Sequence, residues 1–193
     1  MKCNQLGIPG AFLFEFPTYH DDRGRFNEWF KFEELSENTK FSFEVRQANL
    51  SVSKKGVLRG IHYSLAKTGQ SKWVTCAAGS ILDYVVDIRP DSPTYKHYVC
   101  IKLIAGDGQA VFIGSGLGHA FLSIDEGSVV SYLLDSPYSP SEEFEVNPMD
   151  PELNIDWQQN LDNKLGLVMS PKDANAPSLA ERLAQNKLPF LFN

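Results

Sequence analysis

The sequence predicts an all-β fold, a jelly-roll barrel with short flanking helices, from three observations. Short apolar segments alternate with turn-forming clusters from about residue 56 to residue 138. No helical period lies between them, which favours antiparallel pairing over a parallel sheet with crossover helices. With 193 residues, 42% hydrophobic and 22% charged, the chain has the composition of one globular domain able to bury a sizeable core.

In chain order, Lys31 to Asn38 is a short helical candidate. Gly56 to Tyr63 is an apolar strand, where a period of two sets Leu58, Gly60 and His62 on one face and Arg59, Ile61 and Tyr63 on the other. The strands that follow are Lys72 to Ala78, Ile81 to Ile88, Tyr98 to Ile104, Gln109 to Ile113, His119 to Ile124 and Ser128 to Leu134. Glycine, proline, aspartate and serine fill the turns between them, as in Arg89-Pro90-Asp91-Ser92-Pro93 and Ala105-Gly106-Asp107-Gly108. Pro148, Pro151, Pro171 and Pro177 then punctuate the chain, so residues 140–193 are expected as a tail wrapped on the barrel. Within that tail Ser178 and Glu181 have capping-box spacing, which predicts a helix to about Asn186 with Leu179 and Leu183 on one face.

The net charge of -6 argues against a nucleic-acid partner, yet leaves room for a small anion held by a few local cations. Charged residues or glycine break every hydrophobic run before the roughly 18 residues of a membrane helix, so no membrane partner is expected. The opening Met1 to Gly10 lacks the apolar core of a secretion signal. Cys3, Cys76 and Cys100 are odd in number and lack CxxC spacing, which indicates neither a disulfide framework nor a zinc cage. The expected compartment is the cytoplasm.

The histidines differ by context. His20 and His97 sit among polar neighbours and read as solvated surface residues. His62 lies in an apolar strand, where a satisfied core histidine is the commoner outcome. His119 follows Gly114-Ser115-Gly116-Leu117-Gly118, whose spacing fits neither a dinucleotide fingerprint nor a Walker loop and leads into a strand. Those glycines read as a tight corner. His119 shares a face with Phe121, at the barrel mouth or in its core.

Metal cages in small jelly rolls commonly need an H-x-H pair with a nearby Glu and a later His; His62-Tyr63-Ser64 lacks the second histidine, so no metal is expected. No serine occupies a nucleophile elbow, and no cysteine lies in an electropositive loop. What remains is acid and base chemistry without a cofactor.

Three motifs become specific in combination: Gly56-Val57-Leu58-Arg59-Gly60-Ile61-His62-Tyr63, Val86-Asp87-Ile88-Arg89 with Ser92-Pro93-Thr94, and Gly116-Leu117-Gly118-His119-Ala120-Phe121. Together they closely resemble the dTDP-4-dehydrorhamnose 3,5-epimerase family. Asp21-Asp22-Arg23-Gly24, the stretch Asp150 to Trp157 and the stretch Ser170 to Pro177 carry the resemblance over nearly the whole chain, in order.

The resemblance implies a cupin-type jelly roll, a homodimer, and action without metal or other cofactor on dTDP-4-keto-6-deoxy-D-glucose, with inversion at C3, C5 or both. It implies His62 as base, Asp173 as its orienting partner, Tyr132 as the acid on the opposite face, and Lys72 beside the C4 oxygen. His119 would line the same pocket. Arg59 and Arg23 match diphosphate contacts, with Lys172 a further cation. Phe26 and Tyr138 match aromatics that sandwich the thymine, and Glu28, Gln47, Asn49 and Glu143 match polar contacts around the nucleotide. Residues 1–55 are expected to be shared with the dimer partner, from which Arg23, Phe26 and Glu28 would reach.

The chain departs from the common pattern at Ser64, where many members have Gln, and at Ala48 and Leu50, where Asp and His are frequent. Asn147-Pro148-Met149-Asp150-Pro151 is similar to members that make antibiotic or unusual cell-surface sugars. These changes spare the proton-transfer residues and bear on the substrate and the number of centres inverted. The alternatives are a single-centre C3 or C5 epimerase of a dTDP- or CDP-sugar, a metal-dependent cupin, and a non-catalytic sugar-nucleotide binder.

Overall fold

Two antiparallel sheets face each other across an apolar interior in the computed structural model, which describes residues 1–159 and 161–191. Of the expected tail, residues 160, 192 and 193 lie outside the described residues. The larger sheet runs β1 (Lys2–Gln5), β2 (Ala11–Glu15), β10 (Gln109–Ile113), β7 (Lys72–Ala78), β12 (Ser128–Leu134), β5 (Gln47–Ser53). The smaller runs β13 (Glu143–Glu145), β6 (Leu58–Ser64), β11 (Gly118–Ser123), β8 (Ser80–Val86), β9 (Tyr98–Ile104). A separate hairpin joins β3 (Thr18–Asp21) to β4 (Gly24–Asn27). The helices are α1 (Phe32–Thr39), α2 (Pro171–Ala174) and α3 (Leu179–Ala184). The fold is the mostly-β jelly roll that the strand spacing predicts. Its two sheets, however, stand as a sandwich and do not close into a hydrogen-bonded barrel.

Three apolar layers hold the molecule together. Val74, Cys76, Val111 and Val130 of the larger sheet meet Ile81, Val85, Leu103 and Phe121 of the smaller in the interior. Outside the smaller sheet, Leu58, Ile61, Tyr63, Tyr84 and Leu122 pack against Val146, Leu153, Trp157, Leu179 and Leu188 of the C-terminal region. Outside the larger sheet, Phe14, Trp73, Phe112 and Leu133 pack against Leu35 of α1 and Phe43. β8 is buried at every position because it is covered on both faces, which is why it reads as an apolar run rather than an alternation.

The alternation expected along β6 is broken, and the break matters. β11 pairs His119 with His62 but Phe121 with Arg59, so β6 spends one extra residue there and bulges. Leu58, Ile61 and Tyr63 consequently face the outer layer, while Arg59 and His62, three residues apart, both line the interior cavity. The sequence expectation that Leu58 and His62 share a face is thus corrected. Gly60 makes the bulge possible: its φ is +122°, and a Cβ there would lie 2.4 Å from Ala120 Cβ and 2.6 Å from the His119 carbonyl oxygen.

At the tail, Ser178 and Glu181 form the reciprocal capping box that their spacing predicts. Leu183, expected beside Leu179, is instead 43% exposed. Arg182 takes the inward position, donating through Nε to the Glu145 carbonyl at 2.8 Å and packing over Phe144. β1 to β5 lie where the sequence reading placed only a helix at Lys31 to Asn38, observed as α1. The strand expected to reach Ile88 stops at Val86 because the Asp87 carboxylate turns the chain, accepting from Arg89, Ser92 and Thr94. Burial raises the Asp87 pKa, but those hydrogen bonds outweigh it and hold the carboxyl below the usual range.

Candidate active site

A cavity of about 260 Å³ opens between the sheets. One wall comes from the smaller sheet, with Arg59 and His62 on β6 and His119 and Phe121 on β11. The opposite wall comes from the larger sheet, with Lys72 on β7, Tyr132 on β12, and Asn49 and Ser51 on β5. Gln70, Leu134, Tyr138, Glu143, Phe144 and Lys172 complete the lining. A second cavity of about 370 Å³ adjoins it and shares Arg59, His62 and Lys172, with Asp173 at its wall.

His62 Nε2 lies 2.7 Å from Asp173 Oδ1, across 111 residues of chain. Asp173 is delivered by α2, whose N-cap Ser170 accepts from the Asp173 backbone N–H and whose first helical residue is Pro171. Burial pushes the Asp173 pKa up, but the His62 and Ser170 hydrogen bonds outweigh it and hold the carboxyl below its ordinary value. A carboxylate on Nε2 fixes the tautomer with Nε2–H and leaves the lone pair on Nδ1.

Lys72 is buried at the opposite wall, and its Nζ donates to Gln70 Oε1 at 3.2 Å. Burial lowers its pKa from the ordinary ammonium value, and the carboxylates of Glu143 and Asp135 pull it partly back. Arg59 Nε donates to Ser53 Oγ at 3.1 Å, which lays the guanidinium along the cavity rim. Lys172 Nζ pairs with Glu145 Oε2 at 2.9 Å, and that hydrogen bond raises its pKa. Gln47 adjoins the lining through its neighbours, donating to Asn49 Oδ1 and accepting from the Tyr138 backbone N–H.

Eleven residues singled out in the sequence are thus gathered: His62, Asp173, Tyr132, Lys72, His119, Arg59, Asn49, Tyr138, Glu143 and Lys172 around the two cavities, and Gln47 beside them. Arg23, Phe26 and Glu28 are not. They sit on or just past the β3–β4 hairpin, where Arg23 pairs with Asp21, Glu28 with Lys31, and the exposed Phe26 ring stacks on Tyr19. His20 and His97 are exposed, as expected. Among the described residues no group of three or more His, Cys, Asp and Glu is placed to hold a metal.

Sequence reasoning missed Asp83, Gln70 and Ser51. Asp83, fully buried on β8, lies 2.7 Å from His119 Nε2 through Oδ1, so the cavity has a second histidine–carboxylate pair. Its signal was a lone acid inside the apolar run Ser80–Val86. Ser51 Oγ is buried in the cavity wall without a hydrogen-bond partner among the described residues, and its identity alone gave no signal.

The fold and this cavity define a jelly-roll protein whose cleft sets a histidine–carboxylate pair opposite a tyrosine and a buried lysine, a set of groups suited to acid–base chemistry. A family model described as dTDP-4-dehydrorhamnose 3,5-epimerase matches residues 5–181. A dTDP-4-dehydrorhamnose 3,5-epimerase of Mycolicibacterium smegmatis is 42% identical over 98% of this chain and 91% of its own. The solved rmlC epimerase of Mycobacterium tuberculosis superposes with a TM-score of 0.94 at 37% identity, covering 99% of this chain and 94% of that one. A solved 3'-monoepimerase from Streptomyces bikiniensis, in complex with dTDP-quinovose, gives a TM-score of 0.87 at 40% identity, over 96% of this chain and 92% of its own. The chain belongs to the dTDP-4-dehydrorhamnose 3,5-epimerase family. Among the described residues no helix is long and apolar enough to cross a membrane.

Proposed function

We propose that the enzyme epimerises dTDP-4-keto-6-deoxy-D-glucose at C3 and C5, using its own side chains alone for proton transfer. The observation that carries this reading is that His62 and Tyr132 stand on facing sheets across one cavity, so a base and an acid meet a sugar ring from opposite faces. Inversion of a carbon acid requires that arrangement.

His62 Nδ1 takes the proton alpha to the C4 ketone, and the C–H electron pair becomes the enolate. Its negative charge builds on the C4 oxygen, where the Lys72 ammonium stabilises it. Tyr132 then donates its phenolic proton to the same carbon from the other side. The turnover leaves imidazolium and phenolate, which exchange protons with solvent to restore the starting state. Asp173 steadies the imidazolium throughout.

Arg59 and Lys172 hold the diphosphate, Tyr138 stacks on the thymine, and Asn49, Gln47 and Glu143 take the polar edges. Arg23, Phe26 and Glu28 of the partner subunit complete the nucleotide site. Their position away from this chain's own cavity supports a homodimer that shares residues 1–55. Each chain then acts as one catalytic domain, in the cytoplasm.

A second reading, inversion at C3 alone, is favoured by one observation: the Streptomyces bikiniensis 3'-monoepimerase is as near in identity as the 3,5-epimerases. The deciding experiment is incubation with dTDP-4-keto-6-deoxyglucose in deuterium oxide, followed by NMR. Deuterium at both C3 and C5 supports the main reading, and at C3 alone the second. Uptake at neither centre overturns both.

A further inference from the structure

An ammonium as buried as Lys72 carries a desolvation cost unless something holds it. What holds it is a neutral amide. Gln70, 5% exposed, accepts from Lys72 Nζ at 3.2 Å and donates through Nε2 to Glu143 Oε1 at 2.8 Å. The second bond fixes the orientation of the first, because only the amide nitrogen can donate to a carboxylate, which turns Oε1 toward the ammonium.

The chemistry of the bridge matters. A carboxylate in Gln70's place would hold Lys72 by cancelling its charge, whereas the amide holds it by a dipole and leaves the full charge facing the cavity. Glu143 and Asp135 act on Lys72 through space, without a direct ion pair among the described residues. An ammonium kept in that state is the stronger stabiliser of a forming oxyanion.

We propose that Gln70 is a positioning residue, whose carboxamide aims the Lys72 ammonium at the developing C4 oxyanion and keeps it from pairing with Glu143. This rests on the reading of Lys72 as the group that stabilises the enolate. The titratable groups facing Lys72 are Glu143 on β13, Asp135 after β12, Tyr132 on β12, His62 on β6 and His119 on β11, with Arg59 on the opposite wall and Lys172 elsewhere in the lining. Removing Oε1 strips the ammonium of its acceptor, so it sheds its proton at lower pH; a carboxylate in that place does the reverse.

The test uses the full-length enzyme with dTDP-4-keto-6-deoxyglucose, measuring kcat against pH, deuterium uptake at C3, and affinity for dTDP. Gln70→Met, nearly isosteric, is expected to lower kcat about 10- to 100-fold, far more than it weakens dTDP binding, and to move the alkaline limb of kcat to lower pH. Gln70→Glu is expected to move that limb to higher pH. Opposite displacements by the two variants are a signature that a merely structural role does not produce. Lys72→Met is the reference, expected to lose about 100- to 1000-fold. A Lys72→Met enzyme of wild-type turnover overturns the reading of Lys72 and the proposal with it. A crippled Lys72→Met beside a Gln70→Met of wild-type kcat and unmoved limb overturns the proposal alone. Should Gln70→Met not fold, Gln70→Ala takes its place: a lowered kcat with the limb moved to lower pH supports the proposal, and an unmoved limb ends it.

Discussion

Asp173 determines what His62 can do, because its charge decides which ring nitrogen is basic. Replacing it by Asn keeps the shape and removes the charge, so Asp173→Asn is expected to lower kcat about 100- to 10,000-fold while dTDP binding persists; steady-state kinetics beside a dTDP titration check this. The same residue links stability to pH. Its folded pKa lies below the ordinary value, so its contribution is complete above about pH 4, the unfolded carboxylate pKa, and is lost as pH falls through the folded pKa. In Asp173→Asn, urea midpoints measured from pH 6 downward should fall less steeply than in the wild type. Tyr132→Phe separates the two half-reactions: it should spare deuterium exchange at the first centre and suppress net inversion, and equal loss of both would remove Tyr132 from the acid's role. Residues of this kind were legible only where motif context supplied meaning. Asp83 and Gln70 were not, because a buried acid and a buried amide show their purpose only through the partners that folding brings to them.

At the scale of the element, the β6 bulge is what turns Arg59 and His62 into the same cavity. Gly60→Ala is expected to cost about 3 kcal/mol or more, since the new Cβ meets Ala120 and the His119 carbonyl and the backbone sits at positive φ. Activity should fall further than stability at 25 °C explains, because Arg59 and His62 are realigned together; a variant with wild-type kcat would show that the bulge does not position the site. The bulge went unread because a period-two reading assumes an unbroken ladder; its one signal was Gly60, since a glycine inside a strand weakens it and often marks a bulge. The middle strands were readable from their turns, whereas β3 and β4 form an exposed polar hairpin with no apolar alternation to betray them. In α3 the capping box was readable, but the inward side chain was not, since Arg182 satisfies its guanidinium on Glu145, which only the fold supplies.

For the whole molecule, β5 forms an edge of the larger sheet and turns Leu50 and Val52 outward, 66% and 61% exposed. An exposed edge strand with outward apolar residues invites pairing with another chain. The double variant Leu50→Asp/Val52→Asp is expected to shift a dimer toward monomer in analytical ultracentrifugation and to weaken dTDP binding, if Arg23, Phe26 and Glu28 of the partner subunit hold the nucleotide. A monomer that binds dTDP with wild-type affinity would rule out the shared site. None of this surface was legible as an interface from composition, because a scattered pair of apolar residues on a strand looks the same whether it faces a core, a partner or water.

The residues that line the cavity from Asn49 to Glu143 precede Asp173 in the chain, and α2 brings Asp173 to His62 on the same C-terminal region that packs on the smaller sheet. Tyr63 Oη, donating to the Lys187 carbonyl at 2.6 Å, helps hold that last segment down. A chain that ended before residue 172 would lose Lys172 from the cavity lining, the carboxylate beside His62 and the apolar cover of the smaller sheet together, so loosening that one segment would undo binding, catalysis and stability at once.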